Sequence, residues 1–134
     1  MTLVDTNVVA DLIGPDPDWQ MWSIDALNRS RSDGPVGVNE IVFAEISARL
    51  DSESEVRSIL SDLGLAFERI PTEGLFLAGQ TYRRYRAAGG TRPNVLPDFF
   101  IGAHARVTGR QVLTRDPRRY RTYFPDVVLI TPAA

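Results

Sequence analysis

The sequence contains no cysteine and no lysine, and each absence excludes a class of chemistry. Without cysteine there can be no disulfide, no zinc–thiolate site and no thiol nucleophile. Without lysine there is neither the phosphate-binding lysine of a P-loop nor a residue that could form a Schiff base. No apolar stretch approaches the roughly 20 residues that a membrane-spanning helix needs. The first residues carry no signal-peptide pattern, so we expect a cytoplasmic protein.

Length and composition are those of one compact domain. The chain has 134 residues, and 43% of them are hydrophobic. A chain of this size buries enough apolar surface to fold without a disulfide or a structural metal. We therefore expect a single domain over residues 1–134.

Charge is distributed unevenly, although the net charge is only −2. Residues 1–82 contain five arginines and 14 acidic residues, whereas residues 83–121 contain ten arginines and two acidic residues. The guanidinium fork binds phosphate bidentately, so the arginine-rich half suits a nucleic-acid backbone. A solvated helix face is the alternative for any single arginine. The residues that we predict to contact nucleic acid are Arg83, Arg84, Arg86 and Arg115.

Short apolar segments alternate with segments of helical periodicity, which is typical of an α/β layer structure with a mostly parallel sheet. One of the predicted helices covers residues 19–28, and its Trp19 and Trp22 are expected to pack in the core or against a partner. The predicted strands cover residues 3–5, 36–38, 66–70, 111–114 and 127–130.

Four carboxylates lie at positions where such a fold binds ligands. Asp5 and Asp116 lie at or just after the ends of strands, and ligands of parallel α/β folds bind beyond these ends. Asp98 lies at a helix N-terminus, which commonly faces the same edge. Glu45 stands in an otherwise apolar helical stretch, where a carboxylate is costly unless it is paired or bound to metal.

Taken singly, each of these acids has an ordinary structural interpretation. The three aspartates could cap helices or form turns, and Glu45 could face solvent. Taken together, converging carboxylates repel one another unless a divalent cation compensates their charge, and carboxylate oxygens favour Mg²⁺ or Mn²⁺. Asn7 and Thr114 could add hydrogen bonds to the ligands, to metal-bound water or to phosphate.

At these residues the sequence resembles the PIN-domain nucleases, and in particular the VapC-type toxins of bacterial toxin–antitoxin modules. The resemblance covers essentially the whole chain, in order. By position, Asp5, Glu45 and Asp98 match the three core acids of the family, and Asp116 matches a fourth, more variable acid. The matching segments are LVDTN at 3–7, VFAEI at 42–46, LPDFFIGAHA at 96–105, VLTRD at 112–116 and VVLITP at 127–132.

The resemblance implies a Rossmann-like three-layer sandwich with a central, mostly parallel sheet. It implies an endoribonuclease that uses Mg²⁺, or Mn²⁺ in its place, to activate the water that cleaves RNA. Asn7 and Thr114 match polar residues that frequently accompany the acids of the family. As a candidate metal ligand, Glu40 ranks below Glu45, because Glu45 stands in the family's Ala-Glu-(Leu/Ile) context. The resemblance further implies that the protein is the toxin of a type II toxin–antitoxin pair. A cognate antitoxin would occlude the acidic site, and toxins of this type commonly form homodimers. The implied metal ligands and catalytic residues are Asp5, Glu45, Asp98 and Asp116.

Two other functions remain open. An aspartyl-phosphate phosphatase or receiver-like domain would use Asp5, but Asn7 breaks the Asp-x-Asp pattern of the phosphatases and the phosphate-binding lysine is missing. A metal-free RNA-binding module is the second alternative, and four retained carboxylates argue against it. His104, the only histidine, belongs to no Ser-His-Asp grouping, so we expect it to be structural or on the surface.

Overall fold

A computed structural model describes residues 1–132, so the last two residues of the predicted domain lie outside the described part. Strands and helices alternate along this part of the chain. In order they are β1 (Thr2–Val4), α1 (Thr6–Ile13), α2 (Pro17–Asp33), β2 (Val36–Val38), α3 (Glu40–Ser47), α4 (Glu53–Asp62), β3 (Leu65–Phe67), α5 (Thr72–Ala87), α6 (Leu96–Thr108), β4 (Gln111–Leu113), α7 (Arg118–Tyr123) and β5 (Leu129–Ile130).

The strands form one sheet in the order β3-β2-β1-β4-β5, and every pairing is parallel. The α/β architecture with a parallel sheet is therefore confirmed. β1 lies at the centre, with Leu3 opposite Gly37 on one side and Val112 on the other. The chain turns to one side of β1 for β2 and β3 and to the other side for β4 and β5. The crevice beyond the carboxyl ends of β1 and β4 is thus the switch point at which such folds bind ligands.

Consecutive residues of β1 are all buried, although alternate side chains of a strand point to opposite faces. Leu3 is 1% exposed and its neighbour Val4 is fully buried. Val112 and Leu113 of β4 are also fully buried. Both faces of the central sheet are therefore covered, which explains why its strands read as continuous apolar runs.

Local signals account for the helix ends near the site. The side chain of Asn39 accepts hydrogen bonds from the backbone N–H groups of Ile41 and Val42 and so caps α3. Gly109 ends α6 in the left-handed conformation, with φ 68°. The observed helix α2 is longer than the helix predicted at 19–28. It begins earlier because Asp16 caps it and Pro17 is its first residue.

Two predicted strands are shorter than expected. The strand predicted at 66–70 ends at Phe67, because the N–H of Ile70 turns away from the sheet to the Glu40 carboxylate, at 2.8 Å. The strand predicted at 127–130 begins at Leu129, because the N–H of Val127 closes a turn onto the carbonyl of Phe124. Both strands lie at the edges of the sheet, where pairing on one side alone defines their length.

His104 is fully buried, so its structural interpretation holds and its surface interpretation is wrong. Its Nδ1 lies 3.2 Å from the amide nitrogen of Asn39, and its Nε2 lies 3.4 Å from the guanidinium of Arg110. Burial, with the positive charge of Arg110, lowers the pKa of His104 to about 4. The histidine is therefore a neutral packing and hydrogen-bonding group between α3 and α6.

Trp19 and Trp22 are half-buried and pack edge to face, with their ring centroids 6.0 Å apart. The guanidinium of Arg115 lies 4.2 Å from the ring centroid of Trp19. Trp22 packs against the hydrophobic core, whereas Trp19 contacts Trp22 and Arg115 outside it, so the core interpretation holds for Trp22 alone. No helix within residues 1–132 has the length and apolar character that crossing a bilayer requires.

Candidate functional site

The four predicted carboxylates line one cleft of about 260 Å³. The cleft lies beyond the carboxyl ends of β1 and β4, because Asp5 directly follows β1 and Asp116 comes three residues after β4. α3 and α6 bring the other two acids to the same place. The residues that line the cleft are Asp5, Thr6, Asn7, Glu45, Arg49, Asp98, Asp116 and Arg119.

Asp5 is the most deeply placed acid of the cleft, with only 5% of its surface exposed. Its Oδ1 accepts a hydrogen bond from the N–H of Thr6 at 2.7 Å. Its Oδ2 accepts hydrogen bonds from the hydroxyls of Thr114 at 2.8 Å and of Tyr120 at 2.9 Å. Burial and the nearby charge of Asp98 raise the pKa of Asp5 to about 6, against the opposite effect of these hydrogen bonds.

Glu45 reaches the cleft from the second turn of α3, and its Oε1 accepts a hydrogen bond from the hydroxyl of Thr6 at 2.7 Å. Glu40, at the start of the same helix, points elsewhere and accepts the N–H of Ile70. Thr6 therefore binds two acids, because its N–H contacts Asp5 and its hydroxyl contacts Glu45. Of the two glutamates of α3, only Glu45 lines the cleft.

Asp98 lies in the first turn of α6, and its Oδ2 accepts a hydrogen bond from Nη1 of Arg119 at 2.6 Å. Burial raises the pKa of Asp98, and the contact with Arg119 opposes this rise. Asp116 is more exposed and pairs with Nε of Arg118 at 3.0 Å. The hydrogen bond from Arg118 lowers the pKa of Asp116.

Asn7 and Thr114 connect α1 to the end of β4. The amide of Asn7 donates to the Thr114 hydroxyl at 3.2 Å, and its carbonyl oxygen accepts the N–H of Arg115 at 3.1 Å. Thr114 is fully buried, and its hydroxyl donates a hydrogen bond to Asp5. It also accepts the N–H of Asp116 at 3.1 Å. The two accessory residues thus fix Asp5 and the backbone of Asp116 relative to each other.

Residues 2–125 match the sequence profile of the PIN domain. The chain belongs to the PIN domain family. PIN domains are generally nucleases and usually use divalent metal ions.

Several solved structures share the fold of this PIN domain. VapBC2 from Rickettsia felis, bound to a DNA fragment from its promoter, has 17% identity and a TM-score of 0.71, with 98% of each chain covered. VapBC-1 from nontypeable Haemophilus influenzae has 15% identity and a TM-score of 0.71, covering 97% of this chain and 96% of that one. A toxin–antitoxin complex from Klebsiella pneumoniae has 19% identity and a TM-score of 0.65, with coverage of 99% and 98%. No curated protein sequence matches the chain significantly.

The arginines that line the cleft of this PIN domain are not those that the sequence singles out. Arg83, Arg84 and Arg86 lie on α5 and do not line the cleft. Arg115 lies next to the site, but its Nε is 2.6 Å from Oδ2 of Asp11, which holds its side chain against α1. Four contributors to the site were not predicted from the sequence, namely Thr6, Arg49, Arg119 and Tyr120. Adjacency to Asp5 is the one local signal that could have indicated Thr6.

The donor set of the cleft fits Mg²⁺ or Mn²⁺, because all four acids offer carboxylate oxygens. Within residues 1–132, no three acidic or histidine side chains already stand in a metal-binding group. Two of the four acids are instead neutralised by arginines. Within residues 1–132 no cationic side chain contacts Asp5, so no neighbouring cation compensates its charge, and burial raises its pKa. A divalent cation in the cleft would supply that compensation.

Proposed function

We propose that this PIN domain is a Mg²⁺-dependent endoribonuclease, in which Mn²⁺ can replace Mg²⁺, and that it acts in the cytoplasm as a VapC-type toxin. One observation carries the proposal: four carboxylates line a single cleft at the switch point of a parallel sheet, and the most buried of them contacts no cationic side chain in the described part of the chain. The predicted metal ligands and catalytic residues are Asp5, Glu45, Asp98 and Asp116.

A metal ion in this cleft would make water a stronger nucleophile and would stabilise charge on the phosphate and on the departing oxygen. Thr114 and Tyr120 hold Asp5 in one orientation by donating to the same oxygen. Thr6 holds Glu45 in a similar way. Such fixed carboxylates lower the cost of assembling a metal site, because the side chains need little further ordering.

The proposed substrate is RNA, as the resemblance to the VapC-type toxins implies, and the cleft carries cationic groups that suit the phosphates of its backbone. Arg49 and Arg119 both line the cleft and can offer guanidinium N–H groups to phosphate oxygens. The arginines of α5 lie outside the cleft, so any contact that Arg83, Arg84 and Arg86 make with RNA is with flanking nucleotides. Arg115 would contact RNA only after leaving Asp11.

We further propose a cognate antitoxin as partner, which would occlude the acidic cleft, and a homodimer as the assembled toxin. The similar structures support the first part, since they are VapBC proteins and a toxin–antitoxin complex. With such a partner, the chain would be the toxin of a type II pair. Co-purification with a co-expressed neighbouring gene product, with loss of RNase activity in the complex, tests the antitoxin part.

Cleavage of total cellular RNA, with Mg²⁺ and with EDTA, tests the enzymatic function. We expect cleavage only with Mg²⁺, and we expect Asp5→Asn and Asp98→Asn each to abolish it while leaving the fold intact. Asp62→Asn is the matched control, because Asp62 is exposed on α4, away from the cleft. Activity that resists EDTA, or that survives in either site variant, would refute the proposal. If calorimetry detected no Mn²⁺ binding, a metal-free RNA-binding module would be the better interpretation.

A further inference from the structure

One short helix contacts three of the four carboxylates through three consecutive residues. α7 has only six residues, and it lies immediately after Asp116 and Pro117 in the chain. Its first residue contacts the most exposed acid and its third residue contacts the most buried one. The pairs are Arg118 with Asp116 at 3.0 Å, Arg119 with Asp98 at 2.6 Å and Tyr120 with Asp5 at 2.9 Å.

The three contacts differ in how easily they can break. Tyr120 is 1% exposed and is held by the packing around it, so its contact is permanent. The side chain of Arg118 is 78% exposed, so its contact is screened by water and salt. Arg119 is intermediate, with 28% of its side chain exposed, and of the three it alone is a cation that lines the cleft.

Arg119 occupies an oxygen that a metal ion would need. Its Nη1 lies 2.6 Å from Oδ2 of Asp98, and a cation at that distance both blocks the oxygen and repels a second cation. The guanidinium therefore neutralises Asp98 in the metal-free protein and competes with metal for it.

We propose that Arg119 is a displaceable counter-cation, which holds Asp98 in the metal-free site, yields it to the metal and then binds a phosphate of the RNA. The inference rests on the proposed metal-dependent function. Arg119 acts as a positioning residue through Asp98 before metal binds. After displacement it becomes a phosphate ligand in the same cleft.

The surroundings of Arg119 support its proposed role as a phosphate ligand after it leaves Asp98. Beside the acidic cleft lies a smaller pocket of about 120 Å³, which Arg119 also lines together with Arg92, Asp116 and Arg118. A guanidinium that leaves Asp98 therefore remains next to two further arginines. Such a group of guanidinium forks suits a phosphate, which each fork can bind through two N–H groups. The RNA backbone would thus pass over the boundary between the acidic cleft and this pocket.

Calorimetric titration with Mn²⁺ tests the displacement from Asp98. We expect Arg119→Gln to bind Mn²⁺ more tightly than the wild type, by about threefold to fivefold, because the competing cation is gone. Arg49→Gln is the matched control, because Arg49 also lines the cleft but contacts no acid within residues 1–132. Arg119→Lys should fall between Arg119→Gln and the wild type, since it keeps the charge but loses the fork.

The outcomes separate this inference from the proposed function. If the wild type binds Mn²⁺ and Arg119→Gln binds it no more tightly than Arg49→Gln does, the counter-cation role is overturned and the metal site stands. If no form of the protein binds Mn²⁺, the metal site itself fails, and the inference fails with it.

Cleavage kinetics on a short fluorescent RNA that the wild type cuts, at saturating Mg²⁺, test the phosphate contact. We expect Arg119→Gln to raise KM by about tenfold, because one charge-assisted contact to the backbone is lost. Tighter metal binding combined with weaker RNA binding is a signature that a merely structural arginine would not give. An unchanged KM in Arg119→Gln would overturn the phosphate role.

Discussion

The hydroxyl of Tyr120 donates a hydrogen bond of 2.9 Å to Oδ2 of Asp5, and both residues are almost completely buried. Burial and the charge of Asp5 raise the pKa of Tyr120 well above its ordinary value, so the phenol stays protonated and remains a donor. The contact joins the end of β1 to α7, 115 residues later in the chain. It links the packing of the C-terminal part of the domain to the charge of the cleft.

Tyr120→Phe should therefore raise the pKa of Asp5 above its value of about 6, because one hydrogen bond to the ionised carboxylate is lost. A carboxylate that protonates more readily binds metal less well at acidic pH. We also expect the affinity for Mn²⁺ near neutral pH to fall by about tenfold, as is usual when a residue that orients a metal ligand is removed. Carbon-detected NMR titration of the Asp5 carboxyl in EDTA measures the pKa directly, and calorimetry measures the affinity.

Tyr123→Phe is the matched control for this prediction. Tyr123 lies on the same helix and packs against Phe99 with a centroid distance of 4.9 Å, but its hydroxyl makes no hydrogen bond to residues 1–132. It should leave both measurements unchanged. Equal effects of the two substitutions would show that α7 acts through packing and not through the Tyr120 hydroxyl.

Asp5 and His104 should affect the pH dependence of stability in opposite directions. The folded-state pKa of Asp5 is raised from 3.8 to about 6, so the folded protein binds more protons than the unfolded chain in this window and its stability falls as pH rises. The pKa of His104 is lowered from 6.5 to about 4, so its contribution to stability rises with pH over nearly the same window. Each contribution is about 3 kcal/mol, and the two nearly cancel.

Asp5→Asn should expose the contribution of His104. In EDTA, the free energy of unfolding of this variant should rise by about 3 kcal/mol more than that of the wild type between pH 4 and 6.5. Above pH 6 the variant should be the more stable protein, because it no longer buries an ionised carboxylate. Urea unfolding at several pH values measures the difference, with Asp62→Asn as control. Parallel pH profiles for the wild type and Asp5→Asn would contradict this expectation.

The sequence was sufficient to predict the α/β fold because the central strands β1 and β2 are short apolar runs whose residues are all buried, whereas the edge strands β3 and β5 are partly exposed. The confirmed parallel sheet then explains why Asp5 and Asp116 lie at one edge, since both come after strands that run in the same direction. The strand limits at residues 70 and 127 were wrong because the N–H groups of Ile70 and Val127 bond outside the sheet, to the Glu40 carboxylate and to the carbonyl of Phe124. The side chain that turns Ile70 away from the sheet belongs to Glu40, 30 residues earlier.

The electrostatic partners of the acids could not be predicted in the same way. Arg119 and Asp98 are 21 residues apart, and their contact depends on how α7 packs against α6. The clustering of arginines after residue 82 correctly shows where positive charge is concentrated, but it does not show which side chains face the cleft. The roles of the four acids in metal binding stay predictions until they are tested.

Two helical glycines should respond in opposite ways to substitution by alanine. A Cβ on Gly102 of α6 would lie 2.4 Å from the ring of Phe124, which is 1% exposed and has little room to move. We expect Gly102→Ala to lower the free energy of unfolding by about 1–3 kcal/mol through overpacking. A Cβ on Gly79 of α5 meets nothing within 4 Å, so Gly79→Ala should raise it by about 0.5–1 kcal/mol.

Urea denaturation of the two glycine variants at one pH measures both changes. The pair controls for helix propensity, because alanine is the better helix former at either position. A stabilised Gly102→Ala variant would mean that Phe124 can leave its position against α6.

The two glutamates of α3 offer a test that separates function from stability. Glu45 lines the cleft, and its contact with the hydroxyl of Thr6 is half-buried, so Glu45→Ala should abolish cleavage with little loss of stability. Glu40 accepts the backbone N–H of Ile70 at 2.8 Å and lies outside the cleft. Glu40→Ala should therefore cost about 1–3 kcal/mol of stability, because it leaves that N–H without its charged acceptor, and should preserve cleavage.

Alanine is a good helix former at both positions, and the loss of the favourable charge of Glu40 at the N-terminus of α3 adds only about 0.3–1 kcal/mol to the effect of its contact. RNA cleavage with Mg²⁺ and urea denaturation, measured on both proteins, give the four values that are needed. If Glu40→Ala abolished cleavage and Glu45→Ala did not, the third metal ligand would be Glu40, and the cleft would have to extend towards β3. That result is opposed by the geometry, because the carboxylate of Glu40 is already engaged by the backbone that follows β3, whereas that of Glu45 faces the same cleft as Asp98.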